Sequence, residues 1–394
     1  MFNAIKSQMK KEVCPFCFEE FSLKDTPFRC ASPPARCAFE PDKVRAKIWE
    51  EEKPIGRVLP VNGSFKEEVR CANCGQRTQR RVCPHCHMDL PHTTGKFKNL
   101  IFAVIGAKFA GKSHYLAVLI DQLQNHVGPS MGMLLEPLND YTIRRYRDEF
   151  YDRVLVKRKI IPATVSAMVD RKVQFPLVFS LTFTGKSLMG RHKIANVVTL
   201  VFFDTAGEDL NDQDTMATVN KYIYRSDGII LLLDPLQLHC VRDQLAGAVA
   251  LPDRTTETQD IITRTTNLIQ SGRRLAQDQL VPTPIAVAFS KIDAVQPLVD
   301  PQFQLNSTPD HDGGIDLGDF EAVNAEMQSL VAAWQGGFLL QQVTTRYKRF
   351  GFFGLSALGC SPSGSDISRV LPQRVADPFL WLLYSHGLIK GART

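Results

Sequence analysis

The chain has 394 residues, of which 44% are hydrophobic and 22% charged, and this composition excludes disordered and low-complexity proteins. Its formal net charge is +6, and the whole excess falls in residues 1–99, which contain 18 Lys and Arg against 12 Asp and Glu. The longest apolar runs, such as 197–203 and 228–233, are shorter than the roughly 18 residues of a membrane helix, and the N-terminus lacks an apolar signal core. These features predict a soluble, cytoplasmic protein of two or three domains.

Eight of the ten cysteines precede residue 87, and most of them come in pairs separated by two residues. A Cys-x2-Cys turn directs two thiolates to one point, which is half of a tetrahedral zinc site. The simplest pairing makes one zinc-ribbon site from the last four: Cys71, Cys74, Cys83 and Cys86. The second zinc site would then use the first four: Cys14, Cys17, Cys30 and Cys37. The alternative is an interleaved arrangement, in which the first pair shares an ion with one of the later pairs.

Residues 1–97 are therefore predicted to be a small zinc-binding module, in which two Zn²⁺ ions fold a segment with little core of its own. Several basic side chains suit nucleic acid: Arg77, Arg80, Arg81, Lys96 and Lys98. No aromatic residue lies between the three arginines, and each four-thiolate zinc site contributes about −2 of charge. The module would then be close to neutral, which favours protein partners over nucleic acid.

A phosphate-binding motif directly follows an apolar, strand-like run at 100–105. The motif reads GAKFAGKS, and helical spacing follows it, so strand, loop and helix come in the required order. Glycines in such a loop let backbone N–H groups surround phosphates at a helix N-terminus. Lys112 would reach the terminal phosphates, and the Ser113 hydroxyl would bind Mg²⁺. The expected nucleotide contacts of this segment are Gly106, Ala107, Gly111, Lys112, Ser113 and His114.

Three later segments each follow a predicted strand: DTAGE at 204–208, SKID at 290–293 and Ser356-Ala357-Leu358. Asp204 can hold Mg²⁺ through water, and the Gly207 N–H can sense the terminal phosphate. In this order the four motifs resemble the Ras-like and translation-factor-related GTPases, over about residues 98–390.

The resemblance implies a role for each residue of the two later motifs. Asp293 would accept hydrogen bonds from guanine, the stem of Lys291 would lie along the base, and the Ala357 N–H would face the guanine oxygen. Ser290 replaces the usual Asn or Thr, so its bond to the phosphate loop would be shorter or absent. Glu208 replaces the glutamine that positions the attacking water, and a carboxylate cannot donate as an amide does, so slow hydrolysis is expected.

The segment between the first two motifs is unusually long. Lys112 and Asp204 are 92 positions apart, which predicts an insertion at about 126–174. The switch I threonine, which would act with Lys112 and Glu208, is expected at Thr164, with Thr142 as the alternative. An Arg-rich helical stretch at 141–159 is interpreted as a partner-binding helix, the source of an arginine acting in cis, or a solvated helix packed on the domain.

The predicted fold class is α/β: a P-loop NTPase at residues 98–394, with the mostly parallel, helix-flanked sheet of a Ras-like G domain, behind the zinc-ribbon or zinc-knuckle module. The polar segment 295–319, including His311, is predicted to be a solvated loop, and the apolar tail at 376–389 a helix packed on the sheet.

The zinc module joined to a single G domain also resembles the bacterial double-GTPase families of conflict systems such as phage defence. That resemblance implies GTP or GDP, Mg²⁺ and Zn²⁺ as cofactors, and other proteins, among them a second GTPase, as partners. The expected function is a GTP-hydrolysing switch. The alternatives are a non-hydrolysing GTP-dependent scaffold and a zinc-ribbon nucleic-acid-binding ATPase.

Overall fold

A computed structural model describes most of the chain, namely residues 11–49, 52–107, 109–162, 175–186, 192–202, 216–249, 251–254, 258–309, 311, 313–334 and 336–392. Four residues that the sequence assigns to the switch segments lie outside the described residues: Thr164, Asp204, Gly207 and Glu208. Backbone contacts divide the chain into two compact units, Met1–Asn99 with Val197–Thr199, and Leu100–Asn196 with Leu200–Thr394. Within the described ranges, no helix is long and apolar enough to cross a membrane.

The first unit consists of short strand pairs and turns around the cysteines. Its strands are β1 (Lys11–Val13), β2 (Glu20–Ser22), β3 (Phe28–Arg29), β4 (Val58–Leu59), β5 (Val69–Arg70) and β6 (Arg77–Thr78), and they form the antiparallel pairs β1–β2, β3–β4 and β5–β6. Helix α1 (Lys43–Trp49) and a 3-10 turn (Leu23–Asp25) complete its described elements. Its core is small and consists largely of cysteines and aromatic rings such as Phe16, Phe18 and Phe28.

The second unit is built around a seven-stranded sheet. Its strands are β7 (Lys98–Gly106), β8 (Met133–Pro137), β9 (Leu177–Lys186), β10 (His192–Phe202), β11 (Gly228–Leu233), β12 (Ile285–Phe289) and β14 (Phe350–Gly354), in the spatial order β14-β12-β11-β7-β10-β9-β8. The pairs β7–β11, β11–β12 and β12–β14 are parallel, and β8 is antiparallel to β9. Strands β11 and β12 are buried along their whole length, as continuous apolar sequences predict. A separate parallel pair joins β13 (Ile315–Asp316) to β15 (Gly391–Ala392).

Helices of the second unit connect and flank these strands. They are α2 (Lys112–Asp121), α3 (Val127–Ser130), α4 (Asp140–Arg145), α5 (Met216–Arg225), α6 (His239–Leu245), α7 (Thr258–Arg273), α8 (Leu317–Ala333), α9 (Gly337–Arg346) and α10 (Asp377–Ser385), with π-helical segments at Gln122–His126 and Tyr146–Val156 and 3-10 turns at Pro235–Gln237, Ile292–Leu298 and Gln304–Asn306. The apolar tail forms α10, whose Phe379 and Trp381 rings pack at 5.5 and 5.9 Å from those of Phe102 and Phe353 in the sheet. The predicted fold class is therefore confirmed, with a mostly parallel α/β sheet that follows a cysteine-rich module along the chain.

The insertion contributes a β-strand as well as a helix to the second unit. The Arg-rich stretch is helical, as predicted, and Tyr146 Oη donates to Ala117 O at 3.1 Å, which holds this helix against α2. Strand β8 was not predicted, because its five residues carry little apolar alternation before the helix begins. Thr142, the alternative switch I threonine, is fully buried, and its Oγ1 accepts the Val178 N–H at 3.1 Å, so it holds α4 to β9.

The prediction that His311 lies in a solvated loop is wrong. Its side chain is buried, with Nε2 at 3.1 Å from Asp377 Oδ1. Arg374 is also buried, and it binds Asp319 at 2.7 Å and Asp377 at 2.9 Å. Burial alone would lower the pKa of Arg374, but its bonds to the two carboxylates raise it above the ordinary value. Two polar residues of this segment, His311 and Asp319, are thus paired with Asp377 and Arg374 around the start of α10, which the composition could not indicate.

Candidate nucleotide site and candidate metal centres

The carboxyl ends of four parallel strands bring the predicted motifs to one edge of the sheet. Gly106 lies opposite Leu232, Leu233 lies opposite Phe289, and Phe289 lies opposite Gly354. The segments that follow these strands therefore begin at one level, on neighbours about 4.8 Å apart. Ligands of open α/β sheets bind at this edge, beside the strand where the strand order reverses. That strand is β7, which has the later strands β11 and β10 on its two sides.

At two positions of the phosphate loop the backbone favours glycine. A Cβ on Gly106 would lie 2.4 Å from Leu232 O, so β7 and β11 approach too closely for a side chain. Gly111 has φ of +81° immediately before α2, a left-handed conformation that glycine adopts without strain. The first helical bond then runs from Tyr115 N to Gly111 O at 2.8 Å. The loop thus ends at the N-terminus of α2, the arrangement that binds phosphate.

Lys112 is buried inside this loop, with only 7% of its surface exposed. Its Nζ donates to Gly106 O at 2.9 Å and to Ala107 O at 3.1 Å. The loop therefore already surrounds an ammonium group beside the helix N-terminus. Phosphate oxygens could take over these donor bonds, because a charge-assisted bond to phosphate is stronger than one to a neutral carbonyl. Ser113 is buried next to it, at the position predicted for a Mg²⁺ ligand.

His114 ties the end of the insertion to the phosphate-loop helix. Its Nε2 is 3.0 Å from the Ile161 N–H, which can only donate, so the ring proton lies on Nδ1. Burial, together with the nearby positive charges of Lys291 and Arg153, lowers the pKa of His114 to about 4. The imidazole is therefore neutral at pH 7. Lys291 of the SKID segment and Arg153 of the insertion thus both lie close enough to His114 to affect its pKa.

The SKID segment is held from the side of β11. Lys291 Nζ is 2.6 Å from Asp234 Oδ2, and the Asp234 side chain is 1% exposed. The other oxygen of Asp234 accepts the Leu236 N–H at 3.0 Å. Ser290 Oγ donates to Leu233 O at 3.2 Å, so its bond runs to the end of β11. Sequence reasoning missed Asp234, although an acid directly after an apolar strand is the same signal that singled out Asp204.

The last predicted loop is joined to the SKID segment through the backbone. Ile292 N donates to Leu355 O at 3.1 Å, and Asp293 lies in the 3-10 turn that begins there. Ser356 is buried, and its Oγ accepts the Gly359 N–H at 2.8 Å, which closes the turn containing Ala357 and Leu358. The structure thus brings Lys291, Asp293 and this turn together at the ends of β12 and β14. Along this edge the phosphate loop follows β7. The two joined loops follow β12 and β14, which are two and three strands away from β7.

The cysteines form two four-sulfur clusters, but the predicted pairing is wrong. The outer cluster joins the first and last pairs: Cys14, Cys17, Cys83 and Cys86. The inner cluster joins the two middle pairs: Cys30, Cys37, Cys71 and Cys74. This is the interleaved alternative, with the first pair meeting the fourth. The spacing of cysteines identifies each half-site, but long-range pairing such as that of Phe28 with Arg81 decides which halves meet.

The sulfur positions in both clusters match a tetrahedral zinc ion. With Zn–S bonds of about 2.3 Å, the sulfurs of such a site lie about 3.8 Å apart. In the outer cluster Cys14–Cys86 is 3.8 Å and Cys17–Cys83 is 3.7 Å. In the inner cluster Cys30–Cys74 is 3.6 Å and Cys37–Cys71 is 4.0 Å. Both donor sets could therefore hold Zn²⁺ without rearrangement.

Three of the half-sites share one backbone turn. In each, the N–H of the residue after the second cysteine donates to the first cysteine's carbonyl: Phe18 to Cys14 at 3.0 Å, Gly75 to Cys71 at 2.8 Å and His87 to Cys83 at 3.0 Å. All three residues have positive φ, which costs Phe and His roughly 1 kcal/mol relative to glycine. The turn is maintained at that cost, which suits a site where metal binding supplies folding energy.

The three arginines among the basic residues that suit nucleic acid have partners within the module. Arg77 pairs with Glu68 at 2.8 Å, and Arg80 pairs with Asp89 at 2.5 Å. The guanidinium of Arg81 lies 4.6 Å from the centre of the Phe28 ring. These contacts neutralise or cover the arginines that suited nucleic acid in the sequence.

No protein-family profile matches this chain. A relative from Mycolicibacterium smegmatis, named as a candidate ESX-1 scaffolding and assembly protein, SaeC, is 28% identical over 327 residues, which cover 78% of this chain and 80% of that protein.

Among solved structures, the small GTPase Arl6 BBS3 from Trypanosoma brucei, with the nucleotide analogue GppNp, is 14% identical with a TM-score of 0.30, covering 74% of this chain and all of its own. Bacterial selenocysteine-specific elongation factor EF-Sec is 12% identical with a TM-score of 0.27, covering 73% of this chain and 29% of its own. A chain of the signal recognition particle receptor SRb-GTP/SRX complex from Chaetomium thermophilum is 13% identical with a TM-score of 0.28, covering 68% of this chain and 94% of its own. Structural similarity at these TM-scores supports no conclusion about the nucleotide site. The fold assignment rests on the strand order and the phosphate loop described above.

Proposed function

We propose that the chain binds GTP and hydrolyses it to GDP and phosphate, as a nucleotide-dependent switch in a multi-protein system. The observation that carries the proposal is the alignment of the Lys112 loop, the Lys291–Asp293 segment and the Ser356 turn along one edge of the sheet. A nucleotide lying across this edge would have its phosphates on the loop and its base two to three strands away.

Each predicted residue has a role in this proposal. The phosphates bind the backbone of Gly106 to His114 and the Lys112 ammonium, and Mg²⁺ binds Ser113 and Asp204. Asp293 and the Ala357 N–H read the guanine edge. Thr164, Gly207 and Glu208 form the switch segments that respond to the terminal phosphate. The eight N-terminal cysteines hold two zinc ions with a structural role.

The multi-protein setting is supported by the relative from Mycolicibacterium smegmatis, whose name refers to scaffolding and assembly and which matches 78% of this chain. A second GTPase of the kind found in bacterial conflict systems is one form that the partner would take.

A second candidate function is a GTP-dependent scaffold that does not hydrolyse. The relative's name favours it, and so does Glu208, since a carboxylate cannot donate a hydrogen bond as the usual glutamine does. In that case GTP binding alone would order the switch segments.

Nucleotide binding and single-turnover hydrolysis by the purified full-length chain test both candidates. The chain should bind GTP in preference to ATP, Lys112→Ala should abolish binding of either, and Asp293→Asn should weaken GTP binding while leaving ATP binding as it was. Asp278→Asn, on the exposed surface, is the matched control. A preference for ATP that Asp293→Asn does not change would overturn the proposal. Tight GTP binding without turnover, with or without cell extract, would establish the scaffold instead.

A further inference from the structure

The two cysteine clusters are nested along the chain. The inner cluster lies entirely between the two halves of the outer one, since residues 30 to 74 fall between residues 17 and 83. In the outer cluster Cys17 and Cys83 are 66 positions apart. Closing this site in an open chain means bringing together the ends of a 66-residue loop. When the inner cluster is closed, the two segments that still link it to Cys17 and to Cys83 have a combined length of only about 22 residues.

Loop-closure entropy converts this shortening into affinity. The probability that two ends meet falls as roughly the three-halves power of the free length, so a threefold shorter loop closes about fivefold more often. Metal at the inner cluster should therefore raise the affinity of the outer cluster about fivefold by chain connectivity alone. Thermodynamic linkage makes the effect reciprocal.

Arg29 connects the two clusters directly. It precedes Cys30 of the inner cluster, and its side chain is 2% exposed. Its Nη2 donates at 2.6 Å to the carbonyl of His87, the residue that follows Cys86 of the outer cluster. Its Nε binds Asp89 at 2.7 Å. The strand that carries one inner ligand thus also fixes the turn that carries two outer ligands, which adds to the coupling from chain connectivity.

The two clusters differ in how well their turns are covered. In the outer cluster, Pro15, Phe16 and Phe18 around the first pair are all buried, and His85 is exposed in the second turn. In the inner cluster the residues between the ligands are exposed on both sides, at 33–36 and at 72–73. A chelator or an alkylating reagent can therefore approach the inner sulfurs first.

We infer that the two metal sites form one cooperative unit, in which the inner cluster gives up its zinc first and its loss weakens the outer cluster. The inference concerns residues 14–86 alone and is independent of the nucleotide proposal. Its two parts, the order of release and the coupling, are measured separately.

The order of release is measured on the unmodified full-length protein. Zinc is withdrawn with the chromogenic chelator pyridylazoresorcinol, newly free thiols are alkylated at intervals, and the labelled cysteines are identified by mass spectrometry. Cys30, Cys37, Cys71 and Cys74 should be labelled before the four outer cysteines, with release in two phases. Earlier or simultaneous labelling of the outer four would overturn the order.

The coupling is measured by zinc affinity, with competing chelator and native mass spectrometry. Cys74→Ser should weaken the remaining outer site at least fivefold, and Arg29→Lys should weaken the coupling while leaving two zinc ions per chain. Cys360→Ser, outside both clusters, is the control and should change neither affinity. An outer affinity unchanged within twofold in Cys74→Ser would refute the coupling, and so would a wild-type protein that loads its two ions independently.

Discussion

At the scale of single residues, Asp234 determines where the Lys291 ammonium lies. The carboxylate is almost completely buried, so its negative charge is compensated chiefly by this lysine and by the Leu236 N–H. Lys291 has φ of +54°, a left-handed conformation that a lysine adopts only when its surroundings hold it there. In the proposed GTP site, this ion pair would replace the support that an Asn or Thr at position 290 gives to the loop.

We therefore expect Asp234→Asn to weaken GTP binding about fivefold. The amide keeps the oxygen that accepts the Leu236 N–H and loses only the charge, and a charge-assisted bond discounted for the partial exposure of Lys291 contributes about 1 kcal/mol. Fluorescence titration with a labelled guanine nucleotide measures the change, with Asp278→Asn as the surface control. Unchanged affinity would mean that Lys291 is positioned without Asp234.

At the scale of elements, each edge strand of the central sheet has a backbone group capped by a side-chain amide. On β8, Gln124 Nε2 donates to Leu135 O at 3.3 Å, and Pro137 has no N–H to offer. On β14, the Phe352 N–H donates to Asn324 Oδ1 at 2.9 Å. Exposed strand edges recruit further strands, and capping or proline prevents it. These contacts leave fewer backbone groups on each edge strand for pairing with another strand.

Removal of one cap should expose this liability. In Asn324→Ala the Phe352 N–H loses its partner, which should lower the free energy of unfolding by about 1–2 kcal/mol and increase aggregation on heating. Chemical unfolding and light scattering measure the two effects. Ser329→Ala, on the exposed face of the same helix, should behave as the wild type. Wild-type stability in Asn324→Ala would show that water replaces the amide without cost.

The elements also show how far sequence can predict this molecule. The apolar runs of β7, β11, β12 and β14 and the motifs after them were predictable, because a buried parallel strand must be apolar throughout and its carboxyl end is where polar chemistry follows. The cysteine pairing was not predictable, because three half-sites have the same local turn and only tertiary contacts distinguish them. The burial of His311 was missed for a similar reason, since its partner Asp377 is 66 positions away.

At the scale of the whole molecule, the two units have different sources of stability. The described strands of residues 11–99 have two or three residues each, apart from the start of β7, and the core around them includes six of the eight cysteines. The second unit has a seven-stranded sheet with fully buried strands and the apolar helix α10. The first unit should therefore depend on metal, whose binding to a four-cysteine site contributes on the order of 10 kcal/mol of folding free energy, and the second should not.

Calorimetry of the full-length protein should accordingly show two unfolding transitions with separate ligand dependence. A zinc chelator should remove or lower the first transition, while the second keeps its midpoint to within about 2 °C, the shift that corresponds to roughly 1 kcal/mol in a domain of this size. GTP with Mg²⁺ at a hundredfold excess over its dissociation constant should raise only the second, by about 2.7 kcal/mol of stability. Lys112→Ala is the control that should cancel the nucleotide effect and leave the zinc effect intact. A single transition that responds to both ligands would contradict the separation, because it would require the sheet and the cysteine clusters to unfold as one cooperative structure.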